Sequence, residues 1–366
     1  MIYLWAVLLG TASSSAIGDT AKVYESGGEK FKYEILTNQK DVIWGFDFLE
    51  RERLLFSERG GALRVLDLKS KKVDTLEGSP QVGSKGQGGM LDVRVHPKES
   101  SKVYFTYSES SKQGLTTALG VATLEGNKLT KFSRLFSAKE PTKGGIHFGS
   151  RIEFDGQGHL WISVGDRNER DLAQNLMHHN GKIIRLKEDG SIPLDNPFVK
   201  DKKARPEVWS YGHRNPQGLV YDPEKKQLWS TEFGPKGGDE LNLIEPGANY
   251  GWPIITYGRE YYGLKIGEGA AKEGLKQPFA HWVPSISPSA IGIYTGAVFP
   301  KWKGQFFLAT LSGVHLRRLK MDQARVGEQD ELLKELGIRF RNVRTGPDGF
   351  LYFSTDDGMI ARLVRP

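Results

Sequence analysis

The sequence predicts an all-β fold: a six-bladed β-propeller with long loops over one end of the central channel. Three observations lead there. A short apolar-aromatic segment ending in small polar residues recurs six times along the 366 residues. Few stretches between the copies carry helical periodicity. The chain has no Cys, yet 38% of it is hydrophobic and 11% aromatic, enough for a large core without disulfide staples.

The six copies are Leu54-Leu55-Phe56-Ser57, Val103-Tyr104-Phe105-Thr106, Leu160-Trp161-Ile162-Ser163, Leu228-Trp229-Ser230-Thr231, Phe306-Phe307-Leu308-Ala309 and Leu351-Tyr352-Phe353-Ser354. Each follows another apolar segment and a turn, such as His96-Pro97, Asp155-Gly156, Asp222-Pro223 or Pro347-Asp348-Gly349. Asp, Pro and Gly at those places set the backbone angles that reverse a chain. Generic hairpins are the competing reading, but a sandwich has no need of six similar units. A ring does, because each blade buries its faces only against its neighbours. The spacing between copies exceeds a minimal blade most strongly in blades three to five, which are therefore expected to carry long loops. The longest, between 232 and 295, is rich in Gly, Tyr and Trp and should roof one end of the channel. Arg170–His178 and Gln329–Leu336 read as short helical decorations, with His178-His179 at an exposed helix end.

Before the first copy, Ile2–Leu9 is apolar and Thr11–Ala16 is small and polar, the pattern of a secretory signal, although no Lys or Arg precedes it. The expected organisation is a signal peptide over 1–16 and a single propeller over 17–366, with a frayed or mis-started terminus as the bland alternative. Eight apolar residues cannot cross a bilayer, which needs about twenty, so no membrane span is expected. Lys and Arg number 51 against 44 Asp and Glu, a net charge of +7 spread thinly among acids. That argues against nucleic acid and suits an anionic small molecule.

Equivalent positions of the blades meet around the axis. His147, Arg214 and Arg339 each lie eight residues before a turn residue (Asp155, Asp222, Pro347), and Gln87 lies nine before His96. If the register holds, they face one pocket together with Arg341, Asn215 and Gln217. Arginines gathered at one cavity repel unless an anion joins them, so the ring predicts a ligand with several carboxylates or phosphates. Pairing with acids of their own is the alternative. Asp166, at the far end of the strand Leu160–Val164, should return to His147 and orient its imidazole for proton transfer. The loop Gly234-Pro235-Lys236-Gly237-Gly238-Asp239-Glu240 offers backbone carbonyls and hard oxygens that suit Ca²⁺, or else is a solvated turn. Gly86-Gln87-Gly88-Gly89 breaks the dinucleotide-binding pattern, and no phosphate-loop or zinc-protease motif occurs.

Longer stretches carry a resemblance. Gly86–Asp92, His147–Arg151, Trp209–Gly218, Gly234–Glu240, Asn249–Pro253, Arg339–Arg341 and Thr345–Gly349 occur in the order found in soluble aldose sugar dehydrogenases of the glucose/sorbosone dehydrogenase family. The chain resembles that family over nearly all of its expected mature length. The resemblance implies a periplasmic or secreted six-bladed propeller that binds pyrroloquinoline quinone (PQQ) and Ca²⁺ and oxidises aldoses at C1 to the lactone. It implies His147 as general base, Asp166 as its holder, and Arg214 facing the quinone oxygen that gains charge. Gln87, Asn215, Gln217, Tyr261, Arg339 and Arg341 would contact PQQ. The carbonyls of Gly234 and Pro235 would bind the catalytic Ca²⁺, and Glu240 with Tyr250 a separate structural Ca²⁺. The implied partners are a small-molecule aldose and an electron acceptor, with a monomer or homodimer as the assembly.

Two positions depart from the family pattern. A lysine usual at the end of a fifth-blade strand is absent from Thr310-Leu311-Ser312-Gly313, with His315 and Arg317 as nearby substitutes. Phe233 stands where a polar residue is common. The readings that compete with a sugar dehydrogenase are a non-enzymatic ligand-binding propeller of the same family and a metal-dependent lactonase. The second would need a central cluster of Asp, Glu and Asn, whereas the ring here is basic.

Overall fold

The computed structural model describes residues 20–322 and 325–366; the expected signal segment 1–16 lies outside them. Six antiparallel sheets follow one another along the chain. Blade 1 is Ile43–Glu50, Arg53–Glu58, Leu63–Asp67 and Val73–Thr75, and blade 2 is Met90–His96, Glu99–Ser111, Gly114–Glu125 and Lys128–Ser137. Blade 3 is Ile152–Phe154, His159–Val164, Lys182–Lys187 and Val208–Tyr211. Blade 4 is Pro216–Asp222, Gln227–Glu232, Asp239–Ile244 and Ala280–Trp282. Blade 5 is Pro288–Ile293, Phe306–Thr310, Leu316–Met321 and Val326–Leu332. Blade 6 starts with Phe340–Thr345, Leu351–Thr355 and Met359–Val364. The first strand of every blade packs on the first strands of both neighbours, the last back onto the first, so the ring closes around an axis.

The repeated segment is the second strand of each blade. Leu54, Phe56, Phe105, Leu160, Ile162, Phe306, Leu308, Leu351 and Phe353 are all at most 1% exposed. A second strand is sandwiched within its sheet and between adjacent blades, so both of its faces are covered and it reads as a continuous apolar run. The small polar residue at its end is satisfied by a neighbouring blade: Ser57 donates to Leu91 O at 2.5 Å and Ser163 to Pro216 O at 2.7 Å.

Blade 6 takes its outer strands from the other end of the chain. Glu29–Asn38 pairs with Met359–Val364, and Tyr24–Ser26 continues beyond it. Phe31, Tyr33 and Leu36 are at most 3% exposed there. Sealing the ring with an early strand leaves no unpaired gap between last and first blades. Arg151 closes the axis itself. Its guanidinium pairs with Asp92 of blade 2 at 2.9 Å and donates to Gln217 O of blade 4 and Ser289 O of blade 5.

Three sequence expectations are corrected. Gln329–Leu336 is not a helix: Val326–Leu332 is the outer strand of blade 5, and only Lys334–Leu336 turns as a 3-10 helix. The open edge of Leu316–Met321 supplies hydrogen-bond partners that outweigh local helical preference. Arg170–His178 shortens to the 3-10 turn Arg170–Gln174. His179 is buried rather than at an exposed end, its Nδ1 accepting from Lys139 N at 2.9 Å and its Nε2 facing Glu207 at 2.8 Å. The long loop lies within blade 4, over residues 245–279 between its third and fourth strands.

Candidate active site

Gln87, His147, Arg214 and Arg339 each sit just before the first strand of a blade, in blades 2, 3, 4 and 6. Those strands all run away from one end of the axis, so the four side chains gather there. A cavity of about 280 Å³ opens among them, lined also by Gln217, Gly234, Pro235, Tyr261 and Arg341. Five further groups in its wall were not among the residues expected from the sequence: Trp44, Arg59, Ser285, Ser287 and Asp356. A larger cavity, about 560 Å³, lies at the other end of the inner strands, between Tyr221, Ile293 and Arg344. It contains none of the sequence-predicted site residues.

His147 is held from three sides. Its backbone has φ +55°, a left-handed conformation that costs a non-glycine residue of order 1 kcal/mol. Gln87 Oε1 accepts from its N–H at 2.8 Å. The backbone comes so close to Gly165 that a Cβ there would lie 2.1 Å from His147 O. Arg167 clamps the same loop, donating to Ile146 O and, at 2.7 Å, to Gly144 O, with its guanidinium 3.4 Å from the Phe148 ring. Asp166 stands at the end of the neighbouring strand, and its Oδ1 is 2.7 Å from His147 Nδ1. Asn168 N also donates to Oδ1 at 2.8 Å, and Trp252 Nε1 donates to Oδ2 at 2.8 Å.

The electrostatics follow from these contacts. Burial is the largest single effect and would raise Asp166, but the His147 hydrogen bond and charge, the Arg214 charge and the Asn168 N–H together outweigh it and hold the carboxyl below its ordinary value. His147 is lowered, mainly by burial and further by the Arg214 charge, against the pull of Asp166. The imidazole is therefore neutral at neutral pH. Its Nδ1–H donates to the carboxylate, which leaves the Nε2 lone pair free toward the cavity.

Arg214 lies opposite. Its N–H donates to Glu232 Oε2 at 2.7 Å, and its Nη1 to Phe233 O at 3.1 Å and Gly234 O at 2.8 Å. Trp252 ties the two halves together, since its ring lies 5.5 Å from the Arg214 guanidinium while its Nε1 holds Asp166. The other arginines do have an acid of their own. Asp356 takes Arg341 through two bonds, 2.7 and 2.9 Å, and Arg339 through one at 2.8 Å. Arg341 also donates to Gln217 Oε1 at 3.2 Å. The arginine ring thus carries one carboxylate, and the two arginines over it hold that acid below its ordinary value against burial.

In the Gly234–Glu240 loop the two acids separate. Asp239 accepts from Gly234 N, Ser285 Oγ, Ile286 N and Ser287 N, at 2.6 to 3.0 Å. It pins two wall segments together and has no lone pair to spare for an ion. Glu240 is a cross-strand partner of the buried Glu232 and is itself half-buried, and desolvation together with the Glu232 charge raises it well above its ordinary value. Nearby, Asn242 Oδ1 is buried without a partner. A desolvated carboxylate pair beside an orphaned oxygen suits a divalent cation. Glu232, Glu240 and Tyr250 line one small crevice. The Tyr250 hydroxyl is already spent on Leu243 O and Glu245 N, so its carbonyl is the group left to ligate. Among the described residues no group of three or more His, Cys, Asp and Glu is arranged to hold a metal.

Other residues fall differently. Tyr261 stands at the rim, 68% exposed. Asn215 does not line the cavity: it is fully buried behind it, with Oδ1 on Gly149 N at 3.1 Å and Nδ2 without a partner. Ser312 bonds Ser287 Oγ at 2.8 Å beside the wall. His315 and Arg317 do not replace the missing lysine. Arg317 Nε donates to His315 Nε2 and its Nη2 to Glu331, on the outer strands of blade 5, so both are turned from the cavity.

Residues 40–365 match the family model for glucose/sorbosone dehydrogenase. The chain belongs to the glucose/sorbosone dehydrogenase family. Aldose sugar dehydrogenase YliI of Escherichia coli (strain K12) is 40% identical over 332 residues, which cover 88% of this chain and 90% of that protein. The crystal structure of the soluble aldose sugar dehydrogenase of Escherichia coli in its apo form superposes with a TM-score of 0.89 at 37% identity, over 92% of this chain and 100% of that one. The PQQ-bound form of the Streptomyces coelicolor aldose sugar dehydrogenase does so with a TM-score of 0.74 at 27% identity, over 91% and 98%. Like these family members, the chain is a six-bladed propeller. Among its described residues no helix is long and apolar enough to cross a membrane.

Proposed function

We propose that the protein oxidises the anomeric CH–OH of aldoses to the lactone, with PQQ and Ca²⁺ held in the cavity around His147. When bound, PQQ supplies a two-electron acceptor and Ca²⁺ a Lewis acid beside it. His147 Nε2 takes the proton of the sugar's anomeric hydroxyl. Asp166 keeps Nδ1 protonated, so that Nε2 is the basic atom, and steadies the positive charge that forms on the ring. Arg214 faces the cavity with its charge and stabilises developing negative charge there. Gln217, Arg339, Arg341 and the rim residue Tyr261 would contact PQQ, with Asn215 supporting from behind. Gly234 and Pro235 carbonyls would hold the Ca²⁺ beside it, and Glu240 and the Tyr250 carbonyl the structural ion. Export to the periplasm or medium belongs to the same reading.

The observation that carries the proposal is the geometry of His147, bound through Nδ1 to Asp166 at 2.7 Å and set in the wall of a cavity lined by four arginines. The PQQ-bound relative supports the choice of cofactor. The test is to load the protein with PQQ and Ca²⁺ and screen a panel of aldoses for reduction of an artificial electron-accepting dye. Sugar-dependent reduction is expected. No reduction with any aldose, together with no absorbance change on adding PQQ, refutes the reading.

A further inference from the structure

Arg59 follows the second strand of blade 1 and lines the cavity with Arg214, Arg339 and Arg341. Its situation differs from theirs. Arg214 is engaged by two carbonyls, and Arg339 and Arg341 share Asp356. Arg59 is a half-buried residue, and its guanidinium has no hydrogen-bond or ion-pair partner among the described residues. The backbone beneath it is fixed on both sides. Its N–H donates to Val42 O at 3.0 Å and its carbonyl accepts from Met90 N at 3.0 Å. Gly89, at φ +151°, packs against it: a Cβ at that position would lie 1.9 Å from Arg59 O and 2.8 Å from Arg59 Cγ. Only a glycine leaves room for this placement. The fold thus fixes the backbone that carries this cation at the cavity and gives the cation no counter-ion, an arrangement that an incoming anion relieves.

The charge of the whole wall points the same way. Four arginines against one aspartate leave three positive charges in excess, with His147 neutral. Blade 5 contributes only Ser285, Ser287 and Leu311 and no charge. A tricarboxylate such as PQQ balances that excess. Resting on the function proposed above, we propose that Arg59 binds a carboxylate of PQQ and is the anchor that blade 1 supplies, independent of the Arg339–Asp356–Arg341 cluster. A charge-assisted, partly buried contact of this kind is worth about 10- to 100-fold in affinity.

The experiment is a fluorescence or calorimetric titration of the metal-loaded apo-protein with PQQ, which reads binding without turnover. Arg59→Gln is expected to weaken binding about 10- to 100-fold and to flatten its salt dependence, with an unchanged melting temperature before PQQ is added. Ser312 lies 2.8 Å from the wall residue Ser287, so a lysine there brings a new cation to the same cavity. The double variant R59Q/S312K is therefore expected to regain affinity. If the wild-type protein binds no PQQ, the proposed function falls and this assignment with it. Wild-type binding matched within twofold by R59Q overturns the assignment of Arg59 alone. So does a variant that melts several degrees lower and is not rescued by S312K, because Arg59 would then serve the fold.

Discussion

Replacing Asp166 by asparagine removes one charge and almost no volume, and the surrounding bonds decide the consequence. Oδ2 accepts from Trp252 Nε1 and Oδ1 accepts from Asn168 N, so two fixed donors claim the oxygen of the new amide. With the amide oxygen on Trp252, the NH₂ group faces His147 Nδ1 and forces it to accept. The proton then moves to Nε2, the atom aimed at the cavity, and the base is lost. With the oxygen on His147, the NH₂ group meets the Trp252 N–H donor to donor, and a buried hydrogen bond is broken. The first also leaves the NH₂ group donor to donor with Asn168 N, so each arrangement breaks one buried bond; the first removes the base, and the second leaves it without the carboxylate charge that steadies the imidazolium. A positioned general base contributes about 10²- to 10⁴-fold, which is ~3–5 kcal/mol of barrier. D166N should therefore lower kcat by that factor in a steady-state dye-reduction assay of the PQQ- and Ca²⁺-loaded enzyme. PQQ affinity should stay within a few-fold of wild type, since Asp166 lies outside the cavity wall. A D166N enzyme with kcat within threefold of wild type refutes the role given to the His147–Asp166 pair.

Other outcomes rest on the same contacts. The kcat/KM of the wild-type enzyme should be flat through neutral pH and fall only below the ordinary histidine value of 6.5, because burial and Arg214 lower His147 and protonation is what removes the base; a fall with a midpoint above 7 contradicts this. Lys182 is buried and donates to the carbonyls of Leu172, Ala173 and Asn180 at 2.7 to 2.9 Å. Lys182→Met should therefore destabilise the fold by about 2–5 kcal/mol in urea unfolding. Deleting residues 20–38 removes Phe31, Tyr33 and Leu36 from the core and should cost about 5–8 kcal/mol. That is comparable with the whole net stability of a domain, and loss of a cooperative melting transition is the expected readout. Asp239→Ala should loosen the wall segments at Gly234 and Ser285–Ser287 together, seen as faster amide hydrogen exchange at both.

The second strands of the blades were legible because they are covered on both faces, and only an unbroken apolar segment suits that position. The gathering of Gln87, His147, Arg214 and Arg339 was legible for a related reason. Each sits a fixed distance before a turn, so one register serves four blades. What escaped was long-range. Glu29–Asn38 closes the ring through a partner more than 300 residues away, and nothing in its own alternation names that partner. Arg59, Trp44 and Asp356 come from strand ends whose neighbours exist only once the ring is closed. Asp356 shows the consequence: a basic ring read from spacing alone contains a shared carboxylate. Val326–Leu332 was misread because an exposed polar outer strand has no apolar face to betray its period.

The most direct measurement is an anaerobic titration of the protein, loaded with PQQ and Ca²⁺, with an aldose accepted in the dye assay, followed by absorbance. One equivalent of sugar is expected to convert the bound cofactor to its reduced spectrum, and one equivalent of lactone to appear. His147→Ala is expected to bind PQQ and to show neither change on the same timescale. A wild-type spectrum that does not respond to sugar, or an H147A enzyme that responds at the wild-type rate, contradicts the proposed function.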